Sequence, residues 1–231
     1  SPLSLAANGY RGVPEPDGVG SSRGNLQHVQ VEWDPIDGAD RYRVYRSEIA
    51  DSTLAAPVTD WIGELVFADT TSQRGKTYYY WVRAAAGDRL GPLSTAANGY
   101  RGLAVVDQAE VVLGRPDKVG LAWPAILGAS HFEIYRGSSP DSAKAAAISG
   151  WVADRQFDDD SAQPGVDYYY WIRSAIDHEG SNPSRLSHAY VAFRGLDRAG
   201  VVQASAGELT HVQLTWEVVA GADRYKVYRS A

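Results

Sequence analysis

The side chains best suited to chemistry in this chain are five histidines, His28, His131, His178, His188 and His211, and an acidic stretch, Asp154 with Asp158-Asp159-Asp160. Histidine would act as a general base or metal ligand, and clustered carboxylates would supply calcium with some of its roughly six to eight oxygens. The spacing supports neither. Only His28 and His211 occupy equivalent places, each five residues before a tryptophan, Trp33 and Trp216, which is the pattern of surface or strand-edge histidine. Among the aspartates only Asp159 has a counterpart, Asp69 in Ala68-Asp69-Thr70. The sequence holds no Gly-x-Ser-x-Gly elbow and no phosphate-binding glycine loop. With no cysteine it has no thiol nucleophile, disulfide or zinc-thiolate site. The expectation is a protein that is not an enzyme, with no cofactor and no metal.

The elements that position these residues follow from composition and then from a repeat. At about 150 residues per domain, 231 residues make one to two domains. Hydrophobic residues are 44% and charged residues 22%, with 23 Gly and 11 Pro, a globular balance with many turns. The formal charge of -6, from 22 basic and 28 acidic residues, argues against non-specific binding to nucleic acid or to anionic membrane. No apolar run is long enough to span a membrane. Fourteen Tyr and 7 Trp against 4 Phe give aromatic surface with a polar handle, suited to half-buried sheets. The lack of any methionine fits an internal piece of a longer polypeptide.

The repeat has a period of about 90 residues. Ala6-Ala7-Asn8-Gly9-Tyr10-Arg11-Gly12 recurs as Ala96 to Gly102, with a degraded third copy at Val191-Ala192-Phe193-Arg194-Gly195. Tyr78-Tyr79-Tyr80-Trp81 returns as Tyr168-Tyr169-Tyr170-Trp171. All seven tryptophans fall on three repeat positions: Trp33, Trp123 and Trp216; Trp61 and Trp151; Trp81 and Trp171. A residue present in every unit is first a core requirement. Within a unit the hydrophobic period is two: Val29, Val31 and Trp33 alternate with Gln30 and Glu32, and Tyr78, Tyr80, Val82 and Ala84 alternate with Tyr79, Trp81 and Arg83. No stretch makes an amphipathic helix, and Ser142 to Ile148 offers at most a helical turn.

The order of these features resembles a fibronectin type III domain of the kind found in bacterial secreted and surface proteins. The resemblance rests on Trp33, on Tyr42-Arg43-Val44-Tyr45-Arg46-Ser47, on Asp69 through Gly75 to Tyr78, on Val82-Arg83-Ala84 and on Gly91-Pro92-Leu93-Ser94. The second unit repeats it at Trp123, Phe132-Glu133-Ile134-Tyr135-Arg136-Gly137, Asp159, Pro164-Gly165, Tyr168 and Ile172-Arg173-Ser174. The family implies an all-β chain of tandem antiparallel seven-stranded sandwiches, immunoglobulin-like in architecture. It implies a structural core of Trp33, Trp123, Trp216, Tyr78 and Tyr168, with the hydroxyls of Tyr78 and Tyr168 tying the crossover before each tyrosine strand to the backbone. The integrin-binding Arg-Gly-Asp tripeptide is absent.

The expected organisation is the final strand of a preceding repeat over 1–12, whole domains over 13–102 and 103–195, and the N-terminal strands of a third over 196–231. Ends that fall inside domains suggest a window on a longer repetitive polymer, and short linkers favour a semi-rigid rod. Strand alternation places Arg43, Tyr45, Tyr79, Trp81 and Arg83 on one outer face, repeated by Tyr169, Trp171 and Arg173. The favoured expectation is a cation-π ladder that stiffens the sheet and packs against neighbours. The alternative is a platform on which Trp81 and Trp171 stack against sugar rings. The expected function is a non-enzymatic bacterial stalk, sheath or fibre, extracellular or on the cell surface, with homo-oligomeric or polymeric partners. The alternative is a spacer or carbohydrate-binding module of a secreted polysaccharide-degrading enzyme.

Overall fold

A computed structural model describes residues 12–230, so the strand expected over 1–12 lies outside the described residues except for Gly12. The chain divides into two compact units: the first runs to Leu103 and also takes in Ser181–Pro183, and the second comprises Ala104–Gly180 and the residues from Ser184 onward.

The first unit holds β1 (Gly20–Ser21), β2 (Arg23–Asn25), β3 (Val29–Glu32), β4 (Arg41–Ser47), β5 (Ala56–Pro57), β6 (Val66–Asp69), β7 (Thr77–Ala86), β8 (Arg89–Leu93) and β9 (Ala97–Arg101). One sheet has the order β1-β3-β6. The other runs β2-β9-β7-β4-β5, with β8 also pairing β7. The first strand of the sandwich is thus split. Its β1 half pairs antiparallel with β3, and its β2 half crosses to the opposite sheet to pair parallel with β9. The last strand is split likewise into β8 and β9, which gives the seven strands expected.

Alternation accounts for the packing. Val29 and Val31 of β3 are fully buried while Gln30 and Glu32 are exposed, and Tyr42 and Val44 of β4 face the same core. Trp33 closes one end with its ring centroid 5.6 Å from that of Tyr42. The two sheets meet over Val29, Val31, Trp33, Tyr42, Val44, Tyr80 and Val82.

The second unit repeats this frame with β10 (Glu110–Val112), β11 (Val119–Ala122), β12 (His131–Gly137), β13 (Ala146–Ala147), β14 (Gln156–Asp159), β15 (Asp167–Ala175) and β16 (Tyr190–Phe193). Its sheets have the orders β10-β11-β14 and β13-β12-β15-β16. Trp123 packs edge-on against Phe132 at 5.3 Å. The helical turn expected within Ser142 to Ile148 is a single 3-10 turn, Ser142–Lys144, whose N-terminal Asp141 accepts a hydrogen bond from Ala143 N.

Beyond residue 196 only β17 (Gln203–Ala204) and β18 (Leu214–Thr215) form, paired antiparallel. The strand expected around Tyr228 is not formed, because it has no long central strand beside it to pair with. Trp216 is correspondingly half-buried, a correction to its expected core role, although it keeps its aromatic neighbour Tyr225 at 5.5 Å. Chemical denaturation should show the difference. Trp33→Ala should cost the first unit about 3 to 5 kcal/mol, whereas Trp216→Ala should cost less than half as much.

Candidate functional site

The most concentrated polar chemistry lies between the sheets. Asp69 ends β6 in one sheet with no exposed surface, and Arg46 of β4 and Tyr80 of β7 reach it from the other. Arg46 Nη1 donates to Asp69 Oδ2 at 2.6 Å, and the Tyr80 hydroxyl donates to the same oxygen at 2.8 Å. Asp69 Oδ1 accepts from Thr71 N and Thr71 Oγ1 at 2.9 and 2.7 Å. The Arg46 guanidinium lies over the Tyr78 ring, 4.5 Å from its centroid. The second unit reproduces each contact. Arg136 Nη1 and the Tyr170 hydroxyl donate to Asp159 Oδ2 at 2.6 and 2.8 Å, Ser161 N and Oγ donate to Oδ1, and Arg136 covers Tyr168 at 4.7 Å.

Burial pushes the Asp69 and Asp159 carboxyls up, but the hydrogen bonds from Thr71 or Ser161 and from the arginine and tyrosine outweigh it. Both titrate below the usual carboxylate range. Burial beside these carboxylates pushes the Tyr80 and Tyr170 hydroxyls well up. With every carboxylate lone pair engaged by a donor, this centre binds the sheets together and has no free base or nucleophile. Within the aspartate run, Asp159 is engaged in this centre and Asp158 pairs with Lys118 Nζ at 2.5 Å. Among the described residues no three His, Asp or Glu side chains converge as metal ligands would.

The outer-face residues lie in one patch in each unit, as β4 pairs Arg43 with Arg83, Tyr45 with Trp81 and Ser47 with Tyr79. Trp81 and Trp171 are nonetheless buried, at 4% and 2% exposure, so neither presents a platform. Alternation fixes the side of the sheet to which a residue points, and here the chain returns over that side. Trp171 lies so close to β12 and to the segment before β13 that a Cβ on Gly137 would sit 3.3 Å from its Cζ3 and 3.6 Å from Ala145 Cα. Tyr169 stacks on it at 6.4 Å. The arginines stack on other rings: Arg83 on Tyr45, Arg41 and Arg43 on Trp61, and Arg173 on both Tyr135 and Trp151.

A separate open cleft in the second unit is lined by Asp107, Glu110, Trp123, Pro124, His188 and Tyr190. The buried Trp123 Nε1 has no hydrogen-bond partner, and neither has Trp33 Nε1 at the equivalent place in the first unit, so this orphaned donor belongs to the shared frame.

No family model matches the chain. Among solved structures it is similar to a segment of two fibronectin type III domains from chicken tenascin, at 16% identity over 77% of this chain and 98% of that one, with a TM-score of 0.56. The fold is fibronectin type III. Weaker likenesses join a chicken CNTN1 fragment comprising domains FN1–FN3, at 17% identity over 78% of this chain and 65% of that one, with a TM-score of 0.35. An Fn3-like protein from Clostridium thermocellum has 23% identity over 37% of this chain and 90% of that one, also with a TM-score of 0.35. Among the described residues no helix is long and apolar enough to cross a membrane.

In these fibronectin type III units the crossover before the tyrosine strand is held by an arginine besides the tyrosine expected. Tyr78 is buried, but its hydroxyl only accepts from Gln73 N at 3.5 Å, and Tyr168 is half-buried beneath Arg136. The crossover carbonyls are bound by the arginine of the repeated Arg-Gly pair. Arg101 Nη1 donates to Thr70 O and Ser72 O at 3.1 and 3.0 Å and its Nη2 to Leu26 O at 3.2 Å, while Arg194 Nη1 holds Asp160 O and Ala162 O at 3.2 Å. The following glycine is required by close approach, since a Cβ on Gly102 or Gly195 would collide with the carbonyl of Gly24 or Gly114. Sequence reasoning noted both recurrences without assigning them a role. The available signal was that Asp69, Arg46 and Tyr80 also recur together as Asp159, Arg136 and Tyr170.

The folded carboxyls bind protons less tightly than unfolded ones, so their stabilisation is complete above about pH 5 and fades as the pH falls from about 4. The folded tyrosines hold their protons more tightly, so their contribution is complete below about pH 9 and fades as the pH rises past about 10. Urea denaturation across pH should therefore show a plateau between about pH 5 and 9 with a decline on either side. Asp69→Asn with Asp159→Asn should lower the plateau by about 3 kcal/mol per unit and flatten the acid limb. Arg101→Ala should cost about 2 to 3 kcal/mol in the same measurement, while Tyr78→Phe should cost under about 1 kcal/mol.

Proposed function

We propose that this chain is a non-enzymatic structural segment of an extracellular repetitive protein, a stalk, sheath or fibre of bacterial surface type that associates with itself or with neighbouring chains. The observation that carries this reading is the duplicated intersheet centre. Two successive units devote their most reactive buried side chains, Asp69 with Arg46 and Tyr80 and Asp159 with Arg136 and Tyr170, to the same bracing contacts. An enzyme site would mark one unit off from the other at its centre. Burial of Trp81 and Trp171 also takes away the flat surface on which the polysaccharide-binding alternative rested.

Negative-stain imaging and sedimentation of the purified native material should show elongated assemblies growing with concentration. A monomer that stays monodisperse at high concentration would overturn the associative part of the reading. A specific hydrolytic activity retained by the pure chain would overturn the non-enzymatic part.

A further inference from the structure

The units differ pointedly on the outer face of β4 and β12. Arg43 occupies the place that Glu133 takes in the second unit, and each faces an arginine on the adjacent strand: Arg43 opposite Arg83, Glu133 opposite Arg173. In the second unit a single carboxylate oxygen organises the patch. Arg173 Nε and Nη2 donate to Glu133 Oε2 at 3.1 and 2.8 Å, and the Tyr135 hydroxyl donates to it at 2.6 Å. Arg173 meanwhile rests on Tyr135 and Trp151, 5.3 Å from each centroid.

The first unit keeps the aromatic frame and lacks the carboxylate. Arg83 lies over Tyr45 at 5.8 Å, and Arg41 and Arg43 lie over Trp61 at 5.4 and 5.9 Å. Arg41 Nη2 donates to Gly87 O and Arg43 Nε to Thr59 O, and Asp40 approaches only Arg41, at 4.0 Å. Arg83 Nε is closed off from water with no hydrogen-bond partner. Like charges directly opposite on adjacent strands repel, and a desolvated guanidinium N–H without an acceptor is costly, so the patch carries positive charge that its own unit does not compensate.

We propose that Arg41, Arg43 and Arg83, framed by Tyr45 and Trp61, form a binding site for a glutamate or aspartate side chain of an acidic polypeptide partner. The second unit supplies the template for the ligand, a carboxylate on a flexible side chain taking planar, charge-assisted hydrogen bonds from an arginine. An acidic sugar fits less well, because the arginines already lie against Trp61 and Tyr45 where a ring would stack. The site stands whether or not the units assemble with one another.

The two units also provide the test. In the full chain, Arg43→Glu installs the internal partner that Arg173 already has, and should close the site without harming the fold. Glu133→Arg should open a second one. Isothermal titration with poly-L-glutamate, with polygalacturonate alongside, should find one site per chain for poly-L-glutamate in the wild type. Affinity should fall by at least ~10-fold in Arg43→Glu, whose thermal midpoint is unchanged or raised, and stoichiometry should rise to two in Glu133→Arg. Arg43→Glu carries the test alone if Glu133→Arg does not fold. Binding unaffected by Arg43→Glu, no binding by the wild type, or polygalacturonate bound as tightly as poly-L-glutamate would each overturn the assignment.

Discussion

Asp69 and Asp159 are carboxylates almost entirely removed from water, each at the end of a strand in one sheet and each gripped by an arginine and a tyrosine from the other. The chain has no cysteine, so no disulfide joins the sheets. Hydrophobic contact between them is strong but indifferent to small sliding motions. The charged pair is not: an arginine, a tyrosine hydroxyl and a hydroxyl-bearing loop residue meet two carboxylate oxygens at fixed distances only in one registration of the sheets. Loss of one member leaves the other's charge stranded in a poor solvent. The pair therefore selects one arrangement of the sheets among the several that burial alone would tolerate.

The same centre organises the chain around it. Thr71 and Ser161 donate to the aspartates from the start of the crossover, so that loop begins at a fixed point. Arg101 and Arg194 grip the carbonyls on either side of Thr71 and Ser161 and join the loop to the last strand. Arg46 and Arg136, while pairing with the aspartates, lie flat on Tyr78 and Tyr168 and cover the beginning of the central strand. A carboxylate, an arginine and a tyrosine in each unit thus fix three strands and a loop.

Much of this was legible in the residues before any coordinates. Alternation in Val29-Gln30-Val31-Glu32 reports which side is buried, since a strand turns each successive side chain to the opposite face. The period of the tryptophans reports the number of units. The intersheet centre was harder to read. Asp69, Arg46 and Tyr80 are separated in sequence and meet only when two sheets close, so no local pattern announces them and their joint recurrence was the sole trace. Burial of Trp81 and Trp171 escaped for a related reason: period two gives a direction, while the cover over that direction comes from a distant turn of chain. Trp216 shows the converse, a core residue by pattern that is half-buried because the described third unit lacks the strands that would enclose it.

The split first strand has a mechanical consequence. Its second half, β2, runs parallel to β9, the last strand of the unit, with Gly102 N donating to Asn25 O across the junction, and Gly195 N repeats the contact with Arg115 O. Tension applied through the two ends of a unit would draw these parallel strands past one another lengthwise, loading their hydrogen bonds together as a shear joint. Each unit thus meets traction along the chain in its stiffest direction, and peeling, which would break the bonds one by one, needs a force from the side.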